Sequence, residues 1–541
     1  MTTQGRNSSH TESKSTLSKS ARARNVGDLL LKFCVFIYGF ILRLIPEFLI
    51  GSYPIGYDTV NYYPVKVVSL KEKSFLELGE SPAFYFILWS LYALTRINVI
   101  SAVKILAPTL YGLLALSFFS FLKSTRRNND LISLISTYIL VSLIPSLRLS
   151  WDLLKNVLGM ILFFIFIKTI LRVRKGDYTS YVKLCIVSLA VALSHPLPTL
   201  MMFLICLYIV IRDLVIDRNT HNALMVSLIL APSAAVFSLQ CMVFMSERHK
   251  LYGYTLSRKV IELTPRVLKR DPPPPLKNYF LYPPFLGSDY SSLVVTVIKL
   301  FLIYYASTLP LVITHFYIRA RKHINSFKLQ LYRLMDILTI WLMIATFSVL
   351  ICPTAYPFGF FSRHMILLAV PFSFYTADTV QLVCKILPKA LKKAALIITL
   401  VMYITPGVLY ATGSINMRYL AGSKITAFIP ENLVQTSIGI EQIHGCIECV
   451  EYLNLIANED SVLIIDHRFF YWVFTYLRED IAIAVYKTTY PLDKIPIEEV
   501  ILEFKNVYYM DYFNDKNIIL ANHYNFKEVF HSENVAIYVL D

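Results

Sequence analysis

The sequence predicts an α-helical polytopic membrane protein that crosses the bilayer about eleven times and ends in a small α/β domain. Three observations lead there. Of 541 residues 56% are hydrophobic and only 16% charged, against about 25% charged in ordinary soluble domains. The mean hydropathy is +0.54, and apolar runs recur along the first three quarters of the chain. After residue 413 the pattern changes to short alternating strands and helices.

Charge distribution orients the runs. Lys and Arg number 52 and Asp and Glu 36, a net charge of +16, and most basic clusters fall in short gaps between apolar runs. That is the pattern of cytoplasmic loops beside anionic lipid, and nucleic acid is not among the expected partners. Residues 1–27 are polar, Ser/Thr-rich and basic through Arg6, Lys14, Lys19, Arg22 and Arg24; they read as a disordered cytoplasmic tail. No small-residue cleavage site follows, so the first apolar run is expected to remain as a span.

The transmembrane part then covers residues 28–413. Its first span, 29–45, delivers a first outer loop, 46–98, in which the apolar stretch 83–94 is short enough to lie at the interface. If that stretch crossed, the basic loop 123–129 would fall outside; with it interfacial, 99–122 crosses inward and the loop is cytoplasmic. Spans near 131–147, 157–171, 182–193, 197–211 and 224–245 follow. A long outer loop, 246–292, carries eight Lys or Arg and the run Pro272 to Pro275. Long loops translocate largely regardless of charge. Spans near 293–317, 334–352, 365–387 and 394–412 complete the set, leaving the domain 414–541 outside. Within it, 461–466, 481–485, 507–512 and 535–540 read as strands, and 469–478 and 497–505 as helices.

Ionisable residues at the outer ends of spans are costly near membrane depth and are the candidates for chemistry. Asp58 sits in a turn shaped by Pro54 and Gly56; Glu80 precedes Pro82 and an aromatic stretch; Asp152 and Lys155 lie in the second outer loop; His195 stands before Pro196; Arg363 and His364 open a late span. Each has an ordinary alternative. Asp58 could begin a helix as a cap, Glu80 and Asp152 could be solvated, Arg363 could anchor a span at headgroups, and His195 could mark a helix break. Cys446 and Cys449 have Cys-x-x-Cys spacing with His444 nearby, but one pair falls short of the four ligands of a structural zinc site. A local disulfide or two free thiols is the expectation.

A Gly-x-Asp turn in the first outer loop (Gly56 to Asp58), a Glu-x-Pro before an aromatic segment (Glu80 to Pro82) and an acid in the second outer loop (Asp152) together resemble the GT-C superfamily of membrane glycosyltransferases. Protein mannosyltransferases, aminoarabinose transferases and oligosaccharyltransferase catalytic subunits belong to it. The resemblance covers the order and topology of the first 215 or so residues, then Arg363 and the outward C-terminal domain. It implies transfer of a sugar from a polyprenyl-phosphate-linked donor to an acceptor on the extracytoplasmic side. By position it makes Asp58, Glu80 and Asp152 the catalytic carboxylates, with a divalent metal ion as a candidate cofactor on the same three acids. Arg363 would face the carrier phosphate, and His364, Lys155 and His195 are further candidates for substrate binding. The chain lacks the Asp-Glu pair of the mannosyltransferases and the Trp-Trp-Asp motif of the oligosaccharyltransferases, which disfavours both subfamilies.

Two other classes fit a polytopic chain. A transporter or flippase of a lipid-linked or anionic substrate would place polar groups at the midplane of paired repeats; here the acids lie at outer ends and no repeat is visible. A membrane scaffold with a partner-binding outer domain is the third.

Overall fold

The computed structural model describes residues 9–68, 81–125, 130–173, 179–247, 260–263, 290–321, 328–351, 361–422, 428–436, 438–486, 497–512 and 524–540. The chain is a multi-pass membrane protein. Among the described residues eight helices are long and apolar enough to cross a bilayer. Two bent pairs, Asp130–Ser142 with Ile144–Asp152 at 60° and Val294–Tyr305 with Leu309–Arg321 at 81°, raise the number to ten if each pair is one span. The eleventh expected crossing corresponds to Thr179–Ser194, with 16 residues. At 1.5 Å per residue it rises about 24 Å, short of a hydrocarbon core of about 30 Å.

The first helices are α1 (Ser9–Leu49), α2 (Tyr57–Asn61), α3 (Tyr63–Val68), α4 (Pro82–Thr95), α5 (Val99–Thr125), α6 (Asp130–Ser142), α7 (Ile144–Asp152), α8 (Leu154–Val173) and α9 (Thr179–Ser194). Helix α1 corrects the expected tail: from Ser9 onward the segment is helical, not disordered. The stretch from Ser9 to the span contains no Pro, and no Gly before Gly27, so nothing stops the helix from propagating backwards out of the span. The span itself is Val26–Leu49, carrying the helix past the expected end at residue 45. It packs closely on α5: a Cβ added at Gly39 would lie 3.0 Å from the Tyr111 carbonyl oxygen, and one at Gly112 2.8 Å from the Phe36 ring. Small residues let two helix backbones approach this way.

Two ends of the bundle are distinguishable. At one, Lys123 pairs with Asp28 at 2.6 Å and with Asp130 at 2.8 Å, tying together the start of the first span, the end of α5 and the start of α6. At the other, Lys104 donates to the carbonyls of Gly51 and Tyr53, while Tyr53 meets Trp472 and Tyr62 meets Tyr471 across 5.4 and 5.7 Å. The C-terminal domain therefore sits on the end opposite Asp28 and Lys123. Helix α4 touches that same end twice, through Phe84 against Tyr63 at 4.7 Å and through Asn98, just past its last turn, hydrogen-bonded to Tyr476. Both ends of α4 therefore meet the end of the bundle that carries the C-terminal domain. Helix α9 runs back alongside α8. It begins soon after the far end of α8 and ends with Ser194 Oγ 3.0 Å from a Cβ built at Gly159, near the start of α8.

The domain after the last span is a six-stranded sheet in the order β1-β3-β2-β4-β6-β5. Strands β2 (Ser461–Asp466), β3 (Ala482–Tyr486), β4 (Asn506–Tyr512) and β6 (Val535–Leu540) fall where the hydrophobic runs predict them. Strand β5 (Phe526–Ser532) has no such run, because it is an edge strand whose Lys527, Glu528 and His531 face away from the core. Strand β1 (Val260–Glu262) corrects the domain boundary: it belongs to the long loop 246–292, yet it pairs in parallel with β3, Val260 opposite Ile483. Three residues are too few to read as a strand without their partner. A helix absent from the sequence reading, Ile440–Ile456, covers β5 and β6 and buries Cys446 and Cys449 as free thiols.

The arrangement makes one direct prediction. Single cysteines introduced at Ser124 and at Glu459, both exposed, lie on opposite sides of the bilayer. A membrane-impermeant maleimide on sealed cells should label only one of them; equal labelling of both would contradict the fold.

Candidate functional site

The site is assembled by a buried ion pair in the first span. Arg43 and Glu47 stand one helical turn apart on α1, each 0% exposed, with Arg43 Nη1 2.7 Å from Glu47 Oε1. Each partner also holds a loop. Arg43 Nε donates to the Ser150 carbonyl at 2.9 Å, and Glu47 Oε2 accepts from the Ile55 amide at 3.2 Å. The first outer loop and the end of α7 are thus fixed to the same helix, and through it to each other.

Gly56 completes the approach. Its φ is +105°, a region closed to most side chains, and a Cβ there would fall 2.3 Å from the Trp151 carbonyl oxygen. The loop lies directly on α7, and Thr59 Oγ1, donating to the carbonyls of Ile55 and Gly56, closes the turn. Asp58 follows in the first turn of α2. The N-cap of that helix is Gly56, so the capping role open to Asp58 in the sequence is taken by another residue.

Five charged side chains converge. Asp58 feels the charge of Asp152 on α7 and of Lys155, Arg363 and Arg148. Arg148 pairs with Asp152, its Nε donates to the Phe428 carbonyl at 3.0 Å, and its guanidinium lies 5.0 Å from the Trp151 ring. The Tyr63 hydroxyl donates to the Asp152 carbonyl at 2.5 Å, and Lys155 Nζ stands 5.9 Å from the Tyr85 ring. Asp58 keeps part of its surface open, yet protein crowds it. Desolvation, then the neighbouring Asp152 charge, push its carboxyl up to about 7, while Lys155, Arg363 and Arg148 pull it back. Trp151, Tyr63 and Tyr85 flank this charged cluster.

A strap from the linker after the last span crosses this floor. Besides the bond from Arg148 to Phe428, the Tyr410 hydroxyl donates to the Pro430 carbonyl at 2.9 Å and the Gly56 amide to the Gln435 carbonyl at 3.2 Å. Phe428 packs on Phe361 at 5.2 Å, next to Arg363 in the helix Phe361–Leu367, which also touches α7.

Of the residues singled out by sequence, Asp58, Asp152, Lys155 and Arg363 come together here. His364 is buried against the Trp341 ring at 5.3 Å. His195 is the N-cap of the helix Pro196–Val215, its Nδ1 accepting from the Leu197 amide at 3.2 Å, which is the helix-break alternative. Glu80 lies outside the described residues. Sequence reasoning missed Arg43 and Glu47, although two opposite charges four residues apart in an apolar run are a signal in themselves. It also left Arg148 unassigned.

As a metal site the described donors fit poorly. No group of three His, Cys, Asp or Glu is assembled among the described residues, and three cations face the two carboxylates. That balance suits an anion.

The chain is similar to the solved structure of the arabinofuranosyltransferase AftD from mycobacteria, at 11% identity and a TM-score of 0.48, over 93% of this chain and 40% of that one. It thus spans well under half the length of that protein. No family model matches the sequence, and no curated protein does.

Two predictions test the assembly. Arg43→Met leaves Glu47 buried without its partner, which should cost about 3–5 kcal/mol of stability, read as a large fall in the thermal midpoint in lipid nanodiscs; a change of less than about 1 kcal/mol would refute the clamp. For Asp58 the sign follows from its raised pKa. The fold favours the protonated carboxyl, so stability is fully present below the ordinary value of 3.8 and is lost as pH rises through about 7. The midpoint of the parent chain should therefore fall over that range relative to Asp58→Asn; parallel curves would refute the crowding of Asp58.

Proposed function

We propose that this chain is a GT-C-type membrane glycosyltransferase that moves a sugar from a polyprenyl-phosphate-linked donor to an acceptor on the extracytoplasmic side. One observation carries the reading. A carboxylate poised near neutrality, Asp58, shares a cleft at one end of a membrane bundle with Lys155, Arg148 and Arg363. A general base works best with its pKa near the working pH, and guanidinium and ammonium groups are the side chains that hold a phosphate.

The step divides between them. Asp58 takes the proton of an acceptor hydroxyl; the acceptor oxygen forms its bond to the anomeric carbon as the bond from that carbon to the carrier phosphate oxygen breaks. The electron pair leaves with the phosphate, whose charge Arg363 and Lys155 balance. Asp152, occupied by Arg148 and held through its carbonyl by Tyr63, places a negative charge beside Asp58 that raises its basicity. No step runs through a metal ion.

The same reading places the protein in the cell membrane, with its N-terminus in the cytoplasm and its C-terminal domain outside. Lys123 lies at the end of the bundle held by Asp28, and cytoplasmic loops are the ones enriched in Lys and Arg. Opposite ends for Asp28 and the C-terminal domain require an odd number of crossings, and α9 supplies the eleventh.

The test is transfer from extracted lipid-linked sugars in reconstituted membranes. Asp58→Asn should lower the rate by about a hundredfold or more, and the parent rate should rise with pH through about 7 as Asp58 loses its proton. Arg363→Lys keeps the charge but loses the planar fork, so donor affinity should fall about tenfold while the pH profile stays put. An Asp58→Asn variant that inserts normally and transfers at the parent rate would overturn the proposal.

A further inference from the structure

The extramembrane sheet carries a second concentration of charge, separate from Asp58 and unused by the transfer step. Its three central parallel strands run in the order β3-β2-β4, so the chain leaves β2 for one neighbour and later returns to the other side of it. Open parallel sheets bind ligands outside the carboxyl ends of their strands, where the strand order reverses. In this sheet that place lies between the ends of β2 and β4.

Asp466 ends β2 and is followed by His467 and Arg468, and Asp511 and Tyr512 end β4. Asp466 is wholly buried and fixes its two neighbours: Oδ1 accepts from the Arg468 amide at 2.8 Å and from Nε at 2.9 Å, Oδ2 lies 3.3 Å from Nη2, and His467 Nδ1 is 3.1 Å from Oδ1. The guanidinium is also held 4.6 Å from the Tyr512 ring. Asp511 is occupied by the hydroxyls of Tyr486 and Tyr509 and by the Tyr512 amide at 2.7 Å.

We propose that the crevice at the carboxyl ends of β2 and β4 binds an oxyanion, the phosphate or carboxylate group of a ligand, through Arg468 and His467. Both side chains remain partly open, at 38% and 39% exposure. Arg468 spends Nε and Nη2 on Asp466 and keeps Nη1 without a protein partner among the described residues; His467 likewise keeps Nε2. A cation wanted only for an internal ion pair has no need of such fixing. Here the buried carboxylate and the ring hold the fork rigid, and rigid donors lose less entropy when a ligand arrives. Both carboxylates are saturated by their own neighbours, so neither competes for the ligand. Hydrogen bonds from His467 and Arg468 overcome the effect of burial and hold Asp466 down to about 2, whereas burial and the nearby Asp466 charge push Asp511 up.

The proposal stands whether or not the chain transfers sugar, and its test keeps the two sites apart. The full chain in zwitterionic nanodiscs is titrated with inorganic phosphate, in the Arg363→Gln background, which weakens anion binding at the Asp58 cleft. Phosphate should still bind, and adding Arg468→Gln should weaken it about tenfold or more, with Arg468→Lys in between. An affinity within twofold after Arg468→Gln would overturn the site. Should Arg468→Gln unfold the domain, the parent chain gives the answer: phosphate should slow modification of His467 by diethyl pyrocarbonate, and an unchanged rate would overturn the proposal. Repeating the titration with phosphatidic acid in the disc separates the sources. Competition that depends on Arg468 makes the ligand a lipid headgroup, and its absence makes it a free solute.

Discussion

The Arg43–Glu47 pair is the interaction on which the candidate site depends. Two charges withdrawn from water inside an apolar helix are costly, and their mutual attraction offsets that cost only when the remaining donors and acceptors are also used. Here Arg43 Nε and Glu47 Oε2 are used on the backbones of two separate segments, at Ser150 and at Ile55, while Arg43 Nη2 has no hydrogen-bond partner among the described residues. The first loop carries Asp58 and the second Asp152, so the distance between two carboxylates is set by a residue pair that touches neither. Gly56 then allows contact where any side chain would hold the loops apart.

From that constraint the rest of the cleft follows. Once Asp58 and Asp152 are adjacent, each needs cations, and Arg148, Lys155 and Arg363 arrive from α7, α8 and a late helix. The linker strap adds backbone carbonyls at Phe428 and Pro430 that accept from Arg148 and Tyr410. Elements far apart in the chain therefore meet at one point through hydrogen bonds and charge, in a bundle whose other contacts are mostly between apolar side chains.

Much of this was legible in the sequence. The long spans follow from apolar length, and α4 is a short apolar helix where the sequence reading places one. Strand β2 carries a short, wholly apolar run bounded by polar residues, and its ends agree with the reading. Asp58, Asp152, Lys155 and Arg363, which the structure brings together, stood out in the sequence because ionisable groups at span ends contrast with their surroundings. Arg43 and Glu47 were not, because ending the first span at residue 45 moved Glu47 out of the membrane and removed the contradiction that marks it. The strap and β1 were unreadable for another reason: neither has a pattern of its own, and each is defined by a partner distant in sequence. His195 shows the converse, a polar residue conspicuous in sequence whose ring serves the backbone next to it.

Strand β1 is anchored to the sheet by parallel pairing with β3, Val260 opposite Ile483, although several spans separate them in the chain. During synthesis β1 emerges on its side of the membrane long before β3 exists, and non-local pairing of this kind is slow to form. The edge of the sheet can close only after the later helices have inserted and the last domain has been delivered to the same side. A chain with a misplaced late span would leave β1 unpaired and β3 with an open edge, a template for association with other chains. Closure of this three-residue strand therefore requires the loop that carries it and the last domain to lie on the same side of the membrane.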